Sequence, residues 1–243
     1  MSQEIDLGEL SLTDPPTDCA NDDKRLRWFE LSLVLLISFG QFFASSLYLF
    51  TNGRSSPSYL QNSNWTVGFF HELTSLFLLG YVLSRRKVRF RDLGLRWSFR
   101  DLRSGLAVAV ASYVAYAVGL SFVHSLHRAL FASSPSGPTA HDIFGHPSIA
   151  AIPYFLLNPF FEEMIVRAFL MTQVKDLTQS WTLATVLSVA LQSSYHLYYG
   201  WEGVLGVSLQ FLVFSTYYAR TRRATPIVVA HAIFDIYGLV RLW

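Results

Sequence analysis

The sequence predicts an all-α protein, a polytopic transmembrane helix bundle of about seven spans with its N-terminus in the cytoplasm. Three observations carry that prediction. Half of the 243 residues are hydrophobic and only 15% are charged, unlike the balance of a water-exposed domain. Apolar runs recur at about the 20 residues that a helix needs to cross a hydrocarbon core. The basic residues collect between alternate runs, as cytoplasmic loops do.

The chain opens on residues 1–26, which carry Glu4, Asp6, Glu9, Asp14, Asp18, Asp22 and Asp23, the pair Pro15-Pro16 and little apolar periodicity. Acidity without a hydrophobic face predicts a disordered tail, leaving 27–243 as the membrane-embedded domain. No short signal peptide precedes the first apolar run, so that run reads as a retained anchor. The one cysteine, Cys19, excludes an intrachain disulfide and a thiolate metal cluster.

The first span is expected over Trp28–Phe50, followed by a loop from Thr51 to Asn64 with Asn-Gly and Ser-Ser-Pro turn signals. The second covers Trp65–Ser84. Between it and the third span, Leu102–Leu130, Arg85, Arg86, Lys87, Arg89, Arg91, Arg96, Arg100 and Arg103 alternate with apolar residues. That mixture suggests a segment lying on an anionic leaflet rather than a nucleic-acid site. A loop with Ser133-Ser134-Pro135 leads to the fourth span, Ile149–Val174, then the fifth, Trp181–Gly200, the sixth, Val204–Ala219, and the seventh, Pro226–Trp243. Alternating the spans from an inside N-terminus places fifteen of the nineteen Lys and Arg on the cytoplasmic side.

Charges inside such spans need an explanation, because each costs roughly 2.5 to 3.5 kcal/mol at a helix centre. The fourth span holds Glu162, Glu163 and Arg167, the fifth Gln192 and His196, and the seventh His231 and Asp235. Residues four apart share a helix face, which pairs Asn158 with Glu162, Glu163 with Arg167, Gln192 with His196 and His231 with Asp235. Glu163 and Arg167 then neutralise each other. Glu162, about 100° round the helix, lacks that cation and is free to act as a general base on water. Polar groups that merely bond helices together are the plainer reading of any one of these residues. Six ionisable groups on three helices favour chemistry.

Other histidines read more simply. His124 and His127, three apart at a span end, could touch a metal but read better as interfacial histidines with no carboxylate partner nearby, His141 and His146 lie in a loop, and His71-Glu72 suggests a polar lining or helix contact in the second span, with substrate gating as the alternative.

Glu162-Glu163-x-x-x-Arg167, His196 and His231-x-x-x-Asp235 resemble the motifs of the CPBP family of intramembrane glutamic proteases, which includes CAAX prenyl endopeptidases and bacteriocin-processing relatives. The likeness extends over about residues 90–243 and includes Asp92-Leu93-Gly94-Leu95-Arg96. It implies a membrane-embedded hydrolase in which Glu162 and His196 activate water, His231 and Asp235 help stabilise the oxyanion, and Glu163 and Arg167 shape the site. Gln192 stands where the family's second motif usually has Phe, and Asp235 where the third often has Asn.

The expected function is an endopeptidase acting on a membrane protein or peptide within the bilayer, with no nucleic acid and no cofactor. A zinc ion on Glu162, His196 and His231 is the less favoured variant. A non-catalytic scaffold, immunity factor or proton-coupled carrier is the alternative from another class. The cell membrane is the expected location, and the sequence specifies neither substrate nor oligomeric state. One difficulty is geometric: the span limits put His196 near the outer end of its helix and His231 nearer the inner end, about 10 Å apart in depth at roughly 1.5 Å per residue.

Overall fold

A computed structural model describes residues 17–52, 65–131 and 147–243, which form helices joined by short turns and no strand among the described residues. The loops drawn at 53–64 and 132–146, with His141 and His146, lie outside the described residues, as do residues 1–16. The rods are α1 (Thr17–Asn52), α2 (Trp65–Arg85), α3 (Phe99–Phe131) and α4 (Ala151–Glu162). The last continues through a π-helical segment (Glu163–Phe169) into α5 (Leu170–Thr178). Then come α6 (Trp181–Tyr195), a 3-10 turn (Leu197–Tyr199), α7 (Gly200–Thr221) and α8 (Thr225–Leu242). Among the described residues seven continuous rods result, and four helices are long and apolar enough to cross a membrane: 22–51 within α1, α2, α3 and α8.

Helical structure starts at Thr17, ten residues before the end of the stretch read as tail. Acidic side chains near the start of α1 have partners there. Arg86, just past α2, reaches Asp23 at 3.3 Å and Glu30 at 2.5 Å, and Arg27 reaches Asp176 at 3.2 Å. Long-range ion pairs of this kind leave no trace in local composition.

The rod Ala151–Thr178 is the centre of the bundle. Residues 161–174 are buried on every side, whereas the outer helices bury one stripe each. In α1 that stripe is Leu31, Val34, Ser38 and Phe39, and in α2 it is Glu72, Leu76, Leu79 and Leu83. Their opposite faces expose Leu36, Phe43, Phe70, Phe77 and, on α3, Val110, Val118 and Phe122. Apolar faces that contiguous are suited to lipid rather than water. Small residues let α3 approach its neighbours. A methyl group on Gly105 would come within 2.7 Å of Val229, and one on Gly119 within 2.5 Å of Leu209.

Turns between the inner rods are set by local chemistry. Gln179 ends α5 in the left-handed region at φ 60°, and Ser180 caps α6 by accepting the Leu183 N–H at 3.1 Å. Arg222 ends α7 at φ 57°, and Pro226 stands in the first turn of α8, where its missing N–H costs nothing.

The basic segment after α2 is only partly a surface element. Leu93 is buried, its carbonyl accepts the Tyr218 hydroxyl at 3.0 Å, and the Gly94 carbonyl accepts the Ala224 N–H at 3.0 Å. Gly94 has φ +93°, and a Cβ there would lie 2.1 Å from the Arg222 carbonyl oxygen. The centre of the segment is therefore docked under the α7–α8 turn, while Trp97 and Phe99 at its far end stay exposed.

Candidate active site

The site is built on the stretch where the central rod changes from α to π geometry. Bonding there shifts to i→i+5, and the Leu170 N–H meets the Ile165 carbonyl. All seven residues of the π segment are buried, including the ionisable Glu163 and Arg167, so their charges must be met inside the protein. They are. Arg167 Nη1 donates to Glu163 Oε1 at 3.3 Å, as the four-residue spacing predicts, and the guanidinium packs against the rings of Phe211 and Phe214 at 5.5 and 5.6 Å.

The same Glu163 oxygen holds a third member. His231 Nδ1 lies 2.7 Å from Glu163 Oε1, and because the carboxylate accepts, Nδ1 carries a hydrogen. The other ring nitrogen, Nε2, lies 3.5 Å from Asp235 Oδ1 one turn further along α8. His231 is thus oriented from both sides by carboxylates, one on the central rod and one on its own helix.

Glu162 has a different environment. Among the described residues no cation pairs with it, in keeping with the sequence reading, yet it is not without partners. Gln192 Nε2 donates to Oε2 at 2.6 Å, and Asn158 Nδ2 lies 3.5 Å from Oε1. The Glu162 carboxylate therefore faces neutral amides rather than a cation. Gln192, at the position where the family motif usually has Phe, provides the shorter of these bonds.

His196 follows Gln192 by one turn. Its Nδ1 is 2.8 Å from the Gln192 carbonyl, which can only accept, so Nδ1 carries the hydrogen and Nε2 presents a lone pair when the ring is neutral. The ring packs among Tyr195, Tyr199 and Phe211 and lies within electrostatic reach of Glu162 and His231. The expected depth mismatch does not part the two histidines, since His196 and His231 lie within electrostatic reach of each other. The helix expected to run to Gly200 stops at Tyr195, and His196 sits at its end, where the chain turns through Leu197–Tyr199.

All six predicted residues, Glu162, Glu163, Arg167, His196, His231 and Asp235, thus converge on one region between the central rod, the end of α6 and α8. The nearest three-residue donor set differs from the one read from sequence. Oxygen atoms of Glu162 and Glu163 and a nitrogen of His231 lie within 4.8 Å of one another, whereas His196 is outside that group. Glu163 and His231 already bond each other, so a cation held there would have to displace that bond and sit near the Arg167 guanidinium.

Sequence reasoning left Glu72 as a lining or helix-contact residue. It is fully buried on α2 and accepts from Asn158 Nδ2 at 2.8 Å, which brings a further carboxylate to the edge of the site. Its neighbour His71 does serve a helix contact, bonding the Ser38 carbonyl at 3.0 Å. His127, read as lacking a carboxylate partner, has one in Glu202 at 2.5 Å, stacked against Trp201. No periodicity within one helix reports either long-range pairing.

Searches among curated proteins and among solved structures return no match. A family model does match, over a segment somewhat shorter than half the chain that spans all six residues and stops short of α2. The model, described as type II CAAX prenyl endopeptidase Rce1-like, matches residues 144–237, which supports the resemblance of the chain to the CPBP family.

Proposed function

We propose that the protein is an intramembrane endopeptidase of the glutamic type, in which Glu162 is the general base for water. The observation that carries this reading is the contrast at adjacent positions. Glu163 is bonded to Arg167 and His231, whereas Glu162 meets the neutral Gln192 and Asn158 amides and, among the described residues, no cation, which leaves it for proton transfer. Water between Glu162 and the His196 Nε2 lone pair loses a proton to Glu162 as its oxygen bonds the peptide carbonyl carbon. The carbonyl oxygen takes up negative charge, which is met by His231 acting as an imidazolium, with a hydrogen on each ring nitrogen and held by Glu163 and Asp235. The C–N bond then breaks, and Glu162 delivers its proton to the leaving amine.

The substrate is a membrane-associated protein or peptide that enters from the bilayer. The domain match makes a prenylated C-terminal CAAX peptide the first probe, with a bacteriocin leader and a C-terminal sorting tag as alternatives on the same core. Cleavage of a quenched-fluorescent farnesylated CAAX peptide by the purified full chain is the direct test. Glu162→Ala and His196→Ala are each expected to abolish cleavage while the protein still inserts and is recovered folded. Normal turnover in both variants would overturn the reading.

A metal-dependent variant is separated by chelation, since the Glu162, Glu163 and His231 donors lie close enough to share a cation. The glutamic reading requires full activity after chelator treatment and no stoichiometric metal in the purified protein. The cell membrane with a cytoplasmic N-terminus remains the expected placement. Cys19, the single cysteine, allows a check: an impermeant maleimide should label it in inside-out vesicles and not in right-side-out ones.

A further inference from the structure

Glu72 lies outside the matched segment and on a helix that supplies none of the six residues above, yet it is fully buried in an apolar span. Burying a carboxylate that only joined two helices would be a costly way to make one contact. Its hydrogen bond to Asn158 says more. Asn158 Nδ2 lies 2.8 Å from Glu72 Oε1 and 3.5 Å from Glu162 Oε1, so one amide nitrogen faces two carboxylates. Carboxylate oxygens accept and the Asn158 carbonyl oxygen also accepts, so only the two-hydrogen end of the amide can face both. The shorter bond to Glu72 fixes which end of Asn158 points at Glu162.

We propose that Glu72 is a positioning residue for the peptidase reaction, acting through the Asn158 amide to hold the Glu162 carboxylate. The inference rests on the endopeptidase reading given above. Glu162 is then held at both oxygens, by Gln192 Nε2 at 2.6 Å on Oε2 and by the Asn158 arm on Oε1, which leaves its outer lone pairs directed toward the site. Remove Glu72, and the Asn158 amide can rotate to present its oxygen to Glu162, which pushes the carboxylate out of line. Small misplacements of a reacting group are expensive in rate, up to about a hundredfold for about 1 Å. Glu72 also lies within electrostatic reach of His231 and Asp235, so it belongs to the same polar cluster rather than to the helix contacts further along α2.

The test compares acceptor with non-acceptor replacements on the full-length protein, with the farnesylated CAAX peptide as probe. Glu72→Leu should lower kcat by about 30-fold with KM within about threefold, because the lost interaction places a reacting group and does not bind substrate. Glu72→Gln keeps an acceptor for Asn158 and should restore kcat to within about threefold of wild type. Asn158→Leu should match Glu72→Leu, and the double variant should be no slower than the slower single one, since both lie on one line of action. Wild-type kcat in Glu72→Leu, while Glu162→Ala is inactive, overturns the positioning role and leaves the peptidase reading standing. If the wild-type chain does not cleave the peptide, or Glu162→Ala does, the peptidase reading fails first. Thermal unfolding then decides: Tm shifts of Glu72→Leu and Glu162→Gln should be non-additive by about 2 °C or more, and additive once Asn158 is Leu. Additive shifts in both backgrounds overturn it.

Discussion

Two of the places where arginine meets carboxylate in this molecule do opposite things. At the rim, Arg27 reaches Asp176 and Gln173, with the aspartate half exposed, and the contact ties the start of α1 to α5. In the centre, Arg167 reaches Glu163 with neither side chain exposed, and the pair carries a third charge-bearing ring, His231. The rim pair sits in high dielectric and is replaceable. The central one exists in surroundings where a lone charge is intolerable, so each member requires the others. Stability and chemistry are therefore coupled at the centre and separate at the rim.

The sharpest way to break this comparison is Glu162→Gln. It keeps volume and removes the proposed base, and it should lower kcat by about 10³-fold while thermal stability stays near wild type, because Glu162 has no ionic partner among the described residues to strand. Loss of folding instead would mean that Glu162 belongs with Glu163 as a structural charge. Next in size is Arg167→Met, which leaves Glu163 buried without its cation; a loss of about 3–5 kcal/mol is expected, read as a marked fall in Tm and folded yield. Pairing it with Glu163→Gln should recover part of that loss, and no recovery would show that the two charges are not coupled.

Gly94→Ala tests a region between rim and centre. The added methyl meets the Arg222 carbonyl at 2.1 Å in a backbone conformation at φ +93°, so roughly 1–3 kcal/mol should be lost through the α7–α8 turn. Because that turn starts the helix bearing His231, a modest fall in kcat should accompany it. Arg27→Gln sits at the small end: a change within about 1 kcal/mol, reduced further by salt, and unaltered turnover. A large effect there would erase the distinction between the two environments.

Much of this was legible in the sequence because it is periodic. Apolar runs gave the rods, and four-residue spacing gave Glu163 with Arg167 and His231 with Asp235, both of which meet. What spacing cannot carry is a partner on another helix. Glu72 with Asn158, His127 with Glu202 and Arg86 with Glu30 join residues from 56 to 86 positions apart. The end of α6 was also misplaced, since an apolar run continues through His196 while the backbone turns. Gln192 showed as a departure from a motif, and only its 2.6 Å bond to Glu162 gives it a purpose.

The π segment at Glu163–Phe169 has a consequence for how this chain can vary. A backbone bonded i→i+5 relaxes readily to i→i+4 when one residue is deleted, so such a deletion need cost few hydrogen bonds. The helix beyond the wide turn would keep its phase, because the turn itself absorbs the change, while the side chains inside it, Glu163 and Arg167 among them, would be re-aimed. Gln173, further along, would keep Arg27. Within this one turn, a length change acts on the site and leaves the rest of the rod in place.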